Sequence, residues 1–137
     1  MLLDYTTLEN AIIRLEEGIK TYEKYKTDQE LKETVRDSLV KRFEFTFEHS
    51  LKMMARTLKE QGFDENDLEP RKQLLRTARD EELIKSFDQW NKYMKSRNIT
   101  SHEYRENSVA DQEYIDLVMD FYQEVKILLK NMKEIEL

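Results

Sequence analysis

The chain has 137 residues, with two glycines, one proline, no cysteine and 38% charged side chains, a length and composition that fit one helical domain over residues 1–137. Without cysteine there is no disulfide framework and no Cys-based zinc site. The start Met1-Leu2-Leu3-Asp4 lacks a signal-peptide pattern and no run approaches about 18 uncharged apolar residues, so a soluble protein of the reducing cytoplasm is expected, neither secreted nor membrane-spanning. A net charge of −6 disfavours sequence-independent binding along a nucleic-acid backbone, unless basic residues gather on one face.

From about Leu3 to Lys26, the residues Leu8, Ile12, Leu15, Ile19 and Tyr22 recur at spacings of four and three, which puts them on one face of a first helix. Asp28 can cap a second helix whose apolar stripe runs Leu31, Val35, Leu39, Phe43, Phe47, Leu51, Met54 and Leu58, with Gly62 placed as its C-terminal stop. On this helix Phe45 is the aromatic most disposed to face outward, where it would mark a dimer seam.

The acidic stretch from Phe63 to Glu69 shows no helical period and reads as a loop. Pro70 then suits the first turn of a short helix over Arg71–Arg79. Asp80 or a neighbour can start the next helix, with Leu83, Ile84, Phe87, Trp90 and Met94 as its apolar face and an end near Ser96. Residues 97–107 interrupt the pattern. Ser108 with Asp111 three residues on resembles a capping box, after which Ile115, Val118, Tyr122, Val125, Leu129 and Met132 carry a last helix to near the C-terminus. Three long and two shorter amphipathic helices with short connections predict an all-α, up-and-down antiparallel bundle of four to five helices.

Chemistry concentrates in Arg97-Asn98-Ile99-Thr100-Ser101-His102-Glu103-Tyr104. An arginine offers a planar, bidentate grip on phosphate, and a histidine titrates near neutral pH. Together they could hold a phosphodiester and move a proton from a ribose 2′-hydroxyl without a metal or other cofactor. The plainer reading of the same residues is structural: Arg97 at a helix C-terminus, Asn98 capping it, His102 and Tyr104 satisfying the turn.

Elsewhere, His49 lies near an apolar stripe and reads as a packed histidine, and two histidines far apart in sequence argue against a metal site. Glu44 and Glu48, one turn apart, suit ion pairs with Lys41, Arg42 or Lys52 better than a cation site. Arg71, Arg76 and Arg79 could face a protein partner, RNA phosphates or the acidic stretch at 64–69, with partner contact preferred.

Three separated stretches carry a resemblance: the run Arg36-Asp37-Ser38-Leu39-Val40-Lys41-Arg42-Phe43-Glu44-Phe45-Thr46-Phe47-Glu48; Pro70-Arg71 with Arg76-Thr77-Ala78; and Trp90 with the Arg97–Tyr104 element. In this order they resemble the nucleotidyltransferase substrate-binding family of HEPN proteins, across most of the chain. His49-Ser50-Leu51 departs from the family pattern, which commonly places a tryptophan nearby.

The resemblance implies a helical bundle that dimerises and pairs with a minimal nucleotidyltransferase in a hetero-oligomer, often as the toxin of a toxin–antitoxin couple. It also implies that Arg97 and His102 occupy the positions of the R-x-x-x-x-H motif, which in active relatives cleaves RNA without metal, with Asn98 beside them. Tyr104 stands where some relatives accept a nucleotidyl group from the partner. A phosphate added there would place negative charge beside Arg97 and block an RNA site.

Overall fold

The structure, a computed structural model, describes residues 3–98 and 108–135. Among these are helices α1 (Thr6–Tyr25), α2 (Lys32–Glu60), α3 (Glu65–Leu68), α4 (Arg71–Asp80), α5 (Phe87–Asn98) and α6 (Ser108–Ile135), and no strand. No described helix is long and apolar enough to cross a membrane.

Side-chain pairings give the directions. Tyr5 pairs with Thr57, Thr46 with the Ala11 carbonyl and Arg42 with the Arg14 carbonyl, so α1 and α2 run antiparallel. Glu16 with Tyr122 and Glu9 with Lys133 set α6 antiparallel to α1. Trp90 stacks beside Phe47 while Arg97 reaches Glu44, so α5 runs against α2. The result is the expected up-and-down bundle, with the short α3 and α4 at the corner between α2 and α5.

The core follows the heptad-like spacings. On α1, Leu8, Ala11, Ile12, Leu15 and Tyr22 are buried, whereas Ile19 is only partly covered. On α6 the fully enclosed row is Tyr114, Val118, Phe121, Val125, Leu128 and Met132, spaced alternately four and three. Tyr122 and Leu129, expected in that row, lie at its flank. Phe121 is the hub, with ring centroids of Phe43 and Tyr93 at 5.2 Å, Trp90 at 5.6 Å and Phe47 at 5.9 Å, three of these pairs close to edge-on.

Helix ends explain where the reading of the sequence fell short. Asp28 does not cap α2 itself: its carboxylate accepts from the Glu30 and Leu31 amides in the turn before the helix, whose N-cap is Leu31 without a side-chain cap bond. The helix ends with Phe63 N–H donating to Leu58 and Gly62 N–H to Lys59, and Gly62 has φ +101°. The acidic stretch after it is not wholly a loop. Asp64 and Asp67 form a reciprocal capping box, enough to nucleate the single turn α3.

The α4 end repeats the bonding of the α2 end: Leu83 N–H reaches Ala78, Glu82 N–H reaches Arg79, and Glu82 takes φ +62°. Leu83 and Ile84 are buried, but in this corner rather than on a helix face, and Asn131 of α6 pins the corner by donating to the Leu83 carbonyl at 3.0 Å. The next helix therefore starts at Phe87, with the Ser86 hydroxyl accepting from the Gln89 amide, and not near Asp80. It also continues past Ser96 to include Arg97 and Asn98.

In the first turn of α6, Asp111 makes a tertiary contact. Its carboxylate pairs with the guanidinium of Arg36, a residue 6% exposed and closed in on α2, with Asp37 Oδ1 3.4 Å away on the other side. The first turn of α6 is thereby fastened to α2.

Candidate functional site

Glu44 and Glu48 project from the side of α2 that meets α4 and α5, because Phe43 and Phe47, one position back in each case, are drawn into the core. Arg97, in the last turn of α5, donates from Nη1 to Glu44 Oε2 at 2.9 Å, and its Nε lies 3.5 Å from Glu48 Oε1. Arg71, the first residue of α4, grips the same Glu48 with both ends of its fork, Nη1 to Oε1 at 3.1 Å and Nη2 to Oε2 at 2.6 Å. The expected partners Lys41, Arg42 and Lys52 are thus replaced by arginines 23 and 53 residues away in sequence.

Two carboxylates and two guanidiniums make a quartet with no net charge. The Arg71 hydrogen bonds hold the Glu48 carboxyl below its ordinary range; burial opposes this, and the charges of Arg71, Arg97 and Lys52 add to the lowering. The Nε of Arg97 is buried without a hydrogen-bond partner among the described residues, since Glu48 is turned to Arg71. Chemically, this is an arginine held by carboxylates in the last turn of α5, and an anion that arrives there must compete with Glu44 and Glu48 for it.

The structure therefore brings Arg97 into a site and leaves Asn98 exposed at the end of α5. His102 and Tyr104 lie outside the described residues. Among the described residues no group of three or more His, Asp or Glu side chains converges as a cation cage requires. Arg71, Arg76 and Arg79 do not act together: Arg76 sits over the Phe87 ring at 5.0 Å and Arg79 pairs with Asp80, while Arg71 alone joins the quartet.

On the neighbouring strip of α2, Phe45 is 52% exposed, with the His49 ring against it at 4.4 Å. Burial lowers the His49 pKa, and the charges of Lys52 and Arg56 push it the same way. Beyond Phe45, a groove of about 460 Å³ between α1 and α2 is lined by Thr7, Asn10, Arg14, Lys41, Arg42 and Phe45, three cations with no acid in the lining. Arg42 also lies 3.9 Å from Glu17, so the positive character of this groove rests on Arg14 and Lys41.

Reading the sequence singled out Arg97 but missed its carboxylate partners and the burial of Arg36. The signal was present in the three stretches that carry the family resemblance, which the fold draws together: Glu44 and Glu48 from the first, Arg71 from the second, Arg97 from the third.

A Haemophilus influenzae protein named "Probable ribonuclease HepT" is 35% identical over 107 residues, which cover 76% of this chain and 71% of that protein. The solved structure of HI0074 from Haemophilus influenzae, described as revealing the fold of a substrate-binding domain of a nucleotidyltransferase, superposes with a TM-score of 0.81 at 27% identity, over 95% of this chain and 99% of that one. Residues 3–134 match the family described as nucleotidyltransferase substrate binding protein like. With nearly its whole length matched and its bundle shared, the chain belongs to that family.

Proposed function

We propose that this chain is the substrate-binding and regulatory partner of a minimal nucleotidyltransferase, the HEPN member of a toxin–antitoxin pair, working as a cytoplasmic homodimer that uses the exposed Phe45 as part of its seam. The observation that carries the reading is Arg97, fixed by Glu44 at the end of α5 directly before the Ser101-His102-x-Tyr104 element. The family's description, and that of HI0074 as the substrate-binding domain of a nucleotidyltransferase, support the partner role.

A second reading is favoured by the same arginine and by the relative named as a ribonuclease. Here the chain is itself a metal-independent endoribonuclease. Arg97 holds the phosphodiester, Asn98 orients it, and His102 takes the proton from the ribose 2′-hydroxyl as that oxygen attacks phosphorus and the bond to the 5′-oxygen breaks, leaving a 2′,3′-cyclic phosphate and a 5′-hydroxyl whose proton comes from solvent. The Tyr104 hydroxyl would then be the silencing point: its oxygen attacks the α-phosphorus of ATP, pyrophosphate leaves, and the added charge closes the RNA site.

Incubation of RNA with the metal-stripped protein, beside folded Arg97→Ala and His102→Ala variants, separates the two readings. Cleavage by the parent alone makes the chain a ribonuclease; equal background in all three leaves a binding subunit. Co-purification with the nucleotidyltransferase tests the partner role, and its failure when both are co-expressed would remove it.

A further inference from the structure

Arg97 cannot serve an anionic ligand at full strength while two carboxylates hold it, and the structure shows how one of them is drawn away. Glu48 is within ion-pair range of both arginines, yet both of its oxygens are taken by Arg71 at 3.1 and 2.6 Å. Arg97 Nε is left at 3.5 Å, too far for a good hydrogen bond, and has no other acceptor among the described residues. Glu44 keeps a single bond to Nη1. The arginine is therefore steadied at Nη1, while its buried Nε faces Glu48 without a hydrogen bond.

We infer that Arg71 and Glu48 are positioning residues for the phosphate-binding state of Arg97: Arg71 sequesters Glu48, and Glu48 released from Arg71 would close onto Arg97 and exclude an incoming phosphodiester. This rests on the reading of Arg97 as an anion grip. It gives Arg71 a role without contact to RNA, through a carboxylate that competes with phosphate. The quartet is neutral, so the device works by geometry rather than by adding positive charge. Because Arg71 opens α4, a partner that displaced this helix would return Glu48 to Arg97, which makes the quartet a point of control from outside.

The test is binding of a short, fluorescently labelled, 2′-O-methylated single-stranded RNA, which cannot be cleaved through its 2′-oxygen, to the full-length protein across a salt series. Arg71→Ala is expected to weaken binding about tenfold, the size of one charge-assisted hydrogen bond gained by the competing carboxylate. Glu48→Gln is expected to bind more tightly than the parent. The pair Arg71→Ala with Glu48→Gln, whose net charge equals the parent's, is expected to return to within about twofold of the parent with an unchanged salt slope.

If Arg71 instead touches phosphate, the double variant stays weak and its salt slope falls by about one contact, which overturns the inference. Should Arg71→Ala fail to fold, Glu48→Gln alone decides the matter, since unchanged or weaker binding contradicts it. Arg97→Ala is the control: parental affinity in that variant sinks the anion-grip reading itself, whereas lost affinity there with no response at Arg71 and Glu48 sinks only the positioning role.

Discussion

The ion pair between Arg36 and Asp111 offers the sharpest test of how the bundle holds the start of α6. Asp111→Ala removes a carboxylate paired with a guanidinium whose side chain is 7% exposed. Breaking a buried pair from one side typically costs about 3–5 kcal/mol, because the remaining charge stays desolvated. Here Asp37 stands 3.4 Å from the other side of Arg36 and retains part of the interaction, so the expected loss is about 2–3 kcal/mol. The competing account is that Asp111 acts only on the α6 dipole from its first turn, which would be worth at most about 1 kcal/mol. Urea unfolding discriminates between them: with a slope of about 1–3 kcal/mol per molar, the midpoint should fall by about 0.7–3 M. Arg36→Met should itself destabilise, and the double variant should cost at least about 1 kcal/mol less than the sum of the two singles. A loss below about 1 kcal/mol in Asp111→Ala, or simple additivity, would refute the buried-pair argument.

Three further outcomes follow from the packing and the caps. Phe121→Ala empties the point where Phe43, Phe47, Trp90 and Tyr93 converge and should cost about 3–5 kcal/mol by urea unfolding, at the upper end because four ring contacts go with it. The helix ends at Gly62 and Glu82 share one hydrogen-bond pattern and a positive φ, so Gly62→Ala should lower stability by about 1 kcal/mol while Glu82→Gly raises it by a smaller amount, both read as shifts in thermal midpoint. The Glu48 carboxyl is depressed in the folded state, chiefly by its bonds to Arg71, so its contribution is full above the ordinary value near 4.5 and is lost as pH falls through the lower, folded value. Glu48→Gln should therefore flatten the acid limb of stability below the ordinary carboxylate range, and an unchanged limb would contradict the pairing.

The long helices were legible because each buries one stripe, and three/four spacing survives any detail of partner choice. Even there the α6 row came out one residue to the side: Phe121 and Leu128 take the centre and Tyr122 and Leu129 the flank, since a stripe three residues wide does not reveal its own midline. The Phe87 start of α5 was misplaced because the end of α4 uses Glu82 in a left-handed conformation where glycine is the usual mark, and because the pin from Asn131 comes from 48 residues away. Ser86 followed by Gln89 was the local signal for the true start. At the site, Arg97 stood out by its neighbours in sequence, whereas the pairing of Glu44 and Glu48 depends on where α4 and α5 dock, information that a single helix does not contain.

Trp90, the sole tryptophan, is 1% exposed and sits where α2, α5 and α6 meet, beside Phe47 and edge-on to Tyr93 and Phe121. The protein thus carries a built-in optical label at a junction of three helices. Its emission should be blue-shifted and shielded from aqueous quenchers, with excitation energy also passing to it from Tyr93. Undocking of α5, the helix that bears Arg97, would redden that emission while the helical signal of α1, α2 and α6 persisted. A single chromophore can therefore distinguish loosening of the site-bearing helix from melting of the whole bundle.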